Sequence, residues 1–168
     1  MVQLILKEPI ASVLINLARK LNMDVETLIL KLVEKELDPS ERIKVYIYLF
    51  KKYLKEAEEY KNKGDIVQSS EKLWGAVTSL LNIIGEVKKV PHYTHRDYWE
   101  IMNIIVRETN DYELNELLAL AEKLHANFYR NFIPSDLFEM YARRINVLIK
   151  KLLKYMSKLG VRIDAQIN

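Results

Sequence analysis

The stretch Gly64–Ala76, GDIVQSSEKLWGA, decides the fold. It follows a polar and aromatic run ending Lys61-Asn62-Lys63, so Gly64 reads as a helix stop in the left-handed region and Asp65 as the cap of the next helix. Downstream, Leu73, Val77, Leu80 and Ile84 recur at helical spacing, with Trp74 and Leu81 widening the stripe, which predicts one broad buried face. Ser69, Ser70, Gly75, Ala76 and Ser79 are all small. A mid-helix glycine costs about 1 kcal/mol relative to alanine, so Gly75 implies either close packing against a neighbour or room for a ligand beside Trp74.

The composition suits a packed domain. The 168 residues are 49% apolar and 29% charged, which is globular rather than disordered. With no cysteine there are no disulfides, thiolate metal sites or cysteine nucleophiles, as fits a reducing cytoplasm. No apolar run reaches the length of a membrane span and no signal-peptide pattern opens the chain, so a cytoplasmic protein with no membrane partner is expected. A net charge of +3 does not by itself argue for nucleic acid; that requires a local concentration of cations.

Upstream of the organising helix, Pro39 and Ser40 open a helix carrying Ile43, Ile47, Phe50, Leu54 and Ala57 and running to about Lys63. Before it, Val2–Lys7 leans towards a strand, Pro9 starts a helix with Val13, Leu14, Leu17, Ala18 and Leu21, and Asp24 caps another with Leu28, Ile29, Leu32, Val33 and Leu37. This strand–helix–helix order resembles the ribbon-helix-helix unit, in which strands of two subunits pair and can read DNA. Residues 1–38, however, hold five basic and six acidic residues, and Ile5 lies between Gln3 and Lys7 on the strand's second face. DNA is bound mainly through its phosphates, so this segment is expected to dimerise instead.

Downstream, Pro91 stops the organising helix, Thr94 caps a helix over about His95–Glu108, and a further helix carries Leu114, Leu118, Ala121, Leu124 and Phe128. Pro134 starts the last helix, to about Leu159, which Gly160 closes. Short connections between long helices predict antiparallel neighbours. In the tail, Val161, Ile163, Ala165 and Ile167 alternate with Arg162, Asp164 and Gln166 at the period of a strand. The expected fold class is all-α: an up-and-down antiparallel helical bundle (39–160) with an N-terminal strand–helix–helix appendage (1–38) and a short C-terminal strand (161–168).

With GDIVQSSEKLWGA, THRDYWEIM (Thr94–Met102) and LAEKLHANFY (Leu120–Tyr129) placed on helices, residues 39–159 resemble the archaeal PaREP-type family, itself similar to a branch of the HEPN helical-bundle superfamily. The resemblance implies a compact bundle, often dimeric, with no activity established in this branch; related bundles are nucleotide-binding or RNA-cleaving modules, many in toxin–antitoxin systems. The RNA-cleaving members carry an arginine followed within a few residues by a histidine near the start of the final helix. Here Arg130 and Asn131 stand in a similar place, but no histidine follows His125.

Four groups of residues are candidates for chemistry. His125, with Asn127, Tyr129 and Arg130, forms a polar cluster after a core stripe; its imidazole could act as acid or base, or bond to a neighbouring helix. Glu71, Lys72 and Trp74 of the family motif are candidate ligand-binding residues. His92 and His95 have the spacing of metal ligands, but Pro91 and Thr94 put His92 before the helix and no third ligand accompanies them, so neither metal nor cofactor is expected. From Met140 to Ile163 there are seven basic residues and no acidic one, and Arg143, Lys150, Lys154 and Lys158 share a helical face opposite Tyr141, Ile145, Leu148, Leu152 and Leu159. Like charges one turn apart repel, so this face calls for acidic neighbours, with Glu56, Glu58 and Glu59 available, or for nucleic acid or an acidic partner.

The reading that follows is a non-enzymatic, oligomeric helical bundle that dimerises through its N-terminal segment and binds a partner protein or a nucleotide-like ligand. The alternatives are an RNA-cleaving enzyme of the HEPN kind using His125, Tyr129 and Arg130, and a ribbon-helix-helix DNA-binding protein using Gln3 and Lys7.

Overall fold

The computed structural model describes residues 3–21 and 23–163. It divides into two compact units, 1–41 and 42–168, the division falling just inside the third helix. All regular structure among the described residues is helical.

In the first unit, α1 (Ile10–Lys20) and α2 (Val25–Val33) are followed by a short 3-10 turn (Glu34–Glu36). Asp24 caps α2 as expected, its carboxylate accepting from Thr27 N at 3.0 Å and from the Thr27 hydroxyl at 2.8 Å. The expected N-terminal strand is not formed: Gln3–Lys7 is irregular, and Val2 lies outside the described residues. A strand needs a partner for its backbone groups, and no second strand lies among the described residues. The apolar stripes are also less buried than their periodicity predicts. Ala18 and Leu28 are buried, whereas Val13, Leu21, Leu32 and Val33 are exposed, since two short helices enclose little volume.

In the second unit, α3 (Pro39–Asn62), of which residues 42–62 belong to this unit, runs antiparallel to α4 (Ile66–Lys88). The pairing is read from side chains in opposing order: the Ser69 hydroxyl donates to Ala57 O at 2.8 Å, Lys72 pairs with Glu56 at 2.7 Å, and Gly75 lies against the ring of Tyr53. The hairpin is turned as its residues require, with Gly64 at φ +77° and Asp65 accepting from Gln68 N at 3.0 Å. A Cβ on Gly75 would stand 2.9 Å from Tyr53 Cδ2, so Gly75 is a packing glycine facing α3 and opens no space beside Trp74.

The central helix is α4, with Leu73, Trp74, Val77, Leu80, Leu81, Ile83 and Ile84 all buried. Around it lie α5 (His95–Thr109), α6 (Glu113–Arg130) and α7 (Ser135–Lys158). α6 and α7 are antiparallel, joined by Arg144–Glu113 (2.7 Å) near one end and by Lys123 to the Tyr141 hydroxyl (3.0 Å) nearer the other. α5 departs from strict alternation. Its first residue, His95, stacks on Trp74, and near its last turn Glu108 pairs with Lys88 at the end of α4 (2.7 Å), so α4 and α5 run in the same sense. The connection 89–94 makes this possible by doubling back along α4. His92 is seated on Gly85 and Glu86, and the Asn82 amide, oriented with its nitrogen towards the loop, donates to His92 O at 2.7 Å. Thr94 and Asp97 then form a reciprocal capping box that starts α5.

The C-terminal strand is not formed at Val161–Ile163, where the chain is irregular after Gly160 at φ +84°; Asp164, Ala165, Gln166 and Ile167 lie outside the described residues. Alternation over so few residues does not make a strand without a neighbouring edge.

Candidate functional site

Three helices bring an aromatic and titratable cluster together in the second unit. From α4 come Glu71 and Trp74, from α5 His95 and Tyr98, and from α6 Glu122, His125 and Tyr129. The Trp74 ring centroid is 5.2 Å from that of His95 and 5.3 Å from that of His125, and the two imidazoles are 5.4 Å apart. These near-equal separations make a triangle, so the imidazoles lie side by side against one indole. Tyr98 meets Trp74 edge-on at 5.8 Å and Tyr129 meets His125 edge-on at 5.2 Å.

Each imidazole is held by a carboxylate through the same ring atom. His125 Nδ1 is 2.7 Å from Glu71 Oε2, and His95 Nδ1 is 3.0 Å from Glu122 Oε1. An ionised carboxylate only accepts, so each of these hydrogen bonds requires its proton on Nδ1, and Nε2 of each ring is left outside the carboxylate contact. Trp74 is buried, while His95 (side chain 57% exposed) and Tyr129 (70%) face solvent. The result is a solvent-facing shelf on a buried indole, with two imidazoles tilted 36° to each other and Tyr129 standing edge-on at its margin.

Of the residues singled out from sequence, Glu71, Trp74, His125 and Tyr129 are in this cluster. Arg130 is exposed at the end of α6. Lys72 points to the opposite side of α4, where it pairs with Glu56 over the Tyr53 ring. Asn127 is fully buried. Its Oδ1 accepts from Phe132 N and Ile133 N, both at 2.8 Å, and its Nδ2 donates to Ser70 Oγ at 3.2 Å, so it holds the turn between α6 and α7. His92 and His95 turn to different neighbours, and among the described residues no three potential metal ligands converge. His95 belongs with His125 rather than His92, a pairing that depends on the doubled-back loop. The one local hint was Glu122, which lies one helical turn from His125 on the same face.

Several other polar groups tie helices together, and Asp97 caps its own. Glu86 receives Arg42 through two guanidinium nitrogens, and hydrogen bonding to Glu86 raises the Arg42 pKa against the opposing effect of burial. His92 Nε2 stands 3.0 Å from Glu86 Oε1 but off the direction a hydrogen bond needs, so proximity rather than a bond relates them. Lys88 and the Tyr155 hydroxyl both donate to Glu108, holding its carboxyl below the usual range. Lys151 spans Asp111 and Glu113, and together with Arg144 it lowers the Glu113 pKa. The backbone of Tyr93 and the hydroxyl and backbone of Thr94 lower that of Asp97.

The fold and its cluster define an all-α bundle built around a buried central helix, with a paired-histidine shelf on one side. The chain belongs to the archaeal PaREP1/PaREP8 family, whose family model matches residues 45–149 and so includes every residue of the shelf. No curated protein and no solved structure matches it. Among the described residues, no helix is long and apolar enough to cross a membrane.

Proposed function

We propose that this protein is a ligand-binding helical bundle whose site is the Trp74–His95–His125 shelf, and that it takes a nucleotide-like ligand, with a planar base and a phosphate. The observation that carries the reading is the pair of imidazoles, each anchored at Nδ1 by its own carboxylate, side by side against one indole. A base has a π-face to stack on the exposed Tyr129 and His95 rings, and the ring nitrogens of the two imidazoles supply polar contacts for the rest of the nucleotide. The likeness to nucleotide-binding HEPN bundles and a role in toxin–antitoxin systems belong to this proposal and rest on the sequence resemblance.

The test uses the fluorescence of Trp74 in a Trp99→Phe background, titrated with AMP, ATP, UMP and inorganic phosphate. Saturable quenching is expected with at least one nucleotide, weakened at least about tenfold (about 1.4 kcal/mol) by His95→Ala or His125→Ala. A flat response to every nucleotide up to millimolar concentration, with helical content intact, refutes the reading.

The same pair favours a second reading, acid–base catalysis on RNA, because two oriented imidazoles can exchange proton-donor and proton-acceptor roles. Labelled RNA cleaved by the parent protein and left intact by His125→Ala would establish it. Self-association is the third part of the proposal: Leu4, Ile5, Ile10, Val13, Leu32 and Val33 of the first unit are exposed apolar residues that a second copy would cover.

A further inference from the structure

We infer that the outer face of α7 is a nucleic-acid-binding surface that engages phosphates through Arg143, Lys150, Lys154 and Lys158. It is independent of the Trp74 shelf, and Lys150, Lys154 and Lys158 lie beyond the span that the family model matches.

The cations of α7 fall into two sets. Arg144 and Lys151 reach Glu113, and Lys151 also reaches Asp111. Arg143, Lys150, Lys154 and Lys158 are exposed, and no carboxylate among the described residues pairs with any of them. The acids of α3 that could have served are engaged elsewhere or lie apart: Glu56 holds Lys72 and Glu59 holds Lys55. Lys150, Lys154 and Lys158 follow one another at one-turn intervals of about 6 Å, and the row from Arg143 to Lys158 is about 22 Å long. Repulsion along such a row costs helix stability; the C-terminal end of the helix dipole offsets it in part at Lys158, but no carboxylate among the described residues pairs with the row.

The chemistry of the face selects its occupant. A membrane would need the apolar side of this amphipathic helix, but Ile145, Leu148, Ile149, Leu152 and Met156 are locked in the core. A protein interface needs an apolar or aromatic centre, and between the cations this face offers only Val147, half-buried, and Ser157, with Met140 at its N-terminal margin. A regular row of unpaired cations with no apolar anchor matches a chain of phosphates.

Fluorescence anisotropy with labelled single-stranded RNA, single-stranded DNA and duplex DNA tests this on the full chain. With about four phosphates contacted, log–log salt slopes of roughly −3 to −4 are expected, so affinity falls about 100-fold between about 50 and about 200 mM salt. The double variant Lys150→Gln/Lys154→Gln should reduce the slope by about 2, while Lys44→Gln/Lys51→Gln, the same charge loss on exposed sites of α3, should leave it unchanged. Because the α7 variant relieves repulsion between exposed cations, its far-UV circular dichroism and melting temperature should match those of the parent protein, and that measurement separates lost binding from unfolding. Preference among the three nucleic acids identifies the strand type. Absence of binding at low salt, equal weakening by the two double variants, or displacement by polyglutamate as effective as by RNA at equal charge overturns the inference.

Discussion

Replacing Asn127 with alanine removes three hydrogen bonds from a fully buried position. Ile133 N–H is itself buried and loses its acceptor, which costs about 1–3 kcal/mol; Phe132 N–H, partly buried, adds about 1 kcal/mol. The Ser70 hydroxyl keeps its bond to Ile66 O at 2.6 Å, so little is lost there. The expected total is about 3 kcal/mol, or about 1.5 M in urea midpoint for a slope of about 2 kcal/mol/M. The comparison is Ser70→Ala, which leaves the two backbone donors satisfied and should cost about 1 kcal/mol. Both variants would be unfolded in urea and followed by far-UV circular dichroism. An Asn127→Ala loss below about 1 kcal/mol, or one equal to that of Ser70→Ala, would refute the assignment of Asn127 to the α6–α7 turn and return it to the list of possible ligand contacts.

Three further outcomes are expected. Gly85→Ala should destabilise more than Gly75→Ala, because its Cβ would meet His92 Cβ at 2.5 Å and displace the loop, whereas Gly75→Ala presses on the Tyr53 ring at 2.9 Å; thermal melts of both would check this, and the reverse order counts against the doubled-back loop. Asp97, Glu108 and Glu113 all have pKa values lowered in the fold, so their contribution is fully present above the ordinary carboxylate range and is lost as pH falls through and below it. Urea midpoints should accordingly fall steeply below about pH 4, and less steeply in Glu108→Gln. Sedimentation of the parent protein should give a dimer and that of Leu4→Lys/Ile5→Lys a monomer; a monomeric parent would exclude self-association through the first unit.

Helix positions were legible in the sequence because their ends are local chemistry. Gly64, Asp65, Asp24 and Thr94 do what their side chains dictate, and the stripe from Leu73 to Ile84 is buried throughout. The strand-like runs misled, because alternation describes a strand's faces but supplies no neighbour for its backbone. The shelf was half legible. Glu71, Trp74, His125 and Tyr129 could be singled out by type and motif, but Lys72 and Asn127 have equally polar side chains and serve packing between helices. His95 was read beside His92, its neighbour in sequence, when its partners are 21 residues earlier and 30 residues later in the chain, joined only by tertiary structure.

The segment 89–94 therefore acts as a ruler. Its length determines which turn of α4 meets the first residue of α5, and with the capping box it also sets the rotational phase of α5. One inserted residue that propagated into α5 would turn His95 by about 100° and withdraw one imidazole from the pair without altering any residue of the shelf. Loop length here thus decides whether the two imidazoles meet: the spacing from Trp74 to His95 matters to the shelf as much as the identity of either residue.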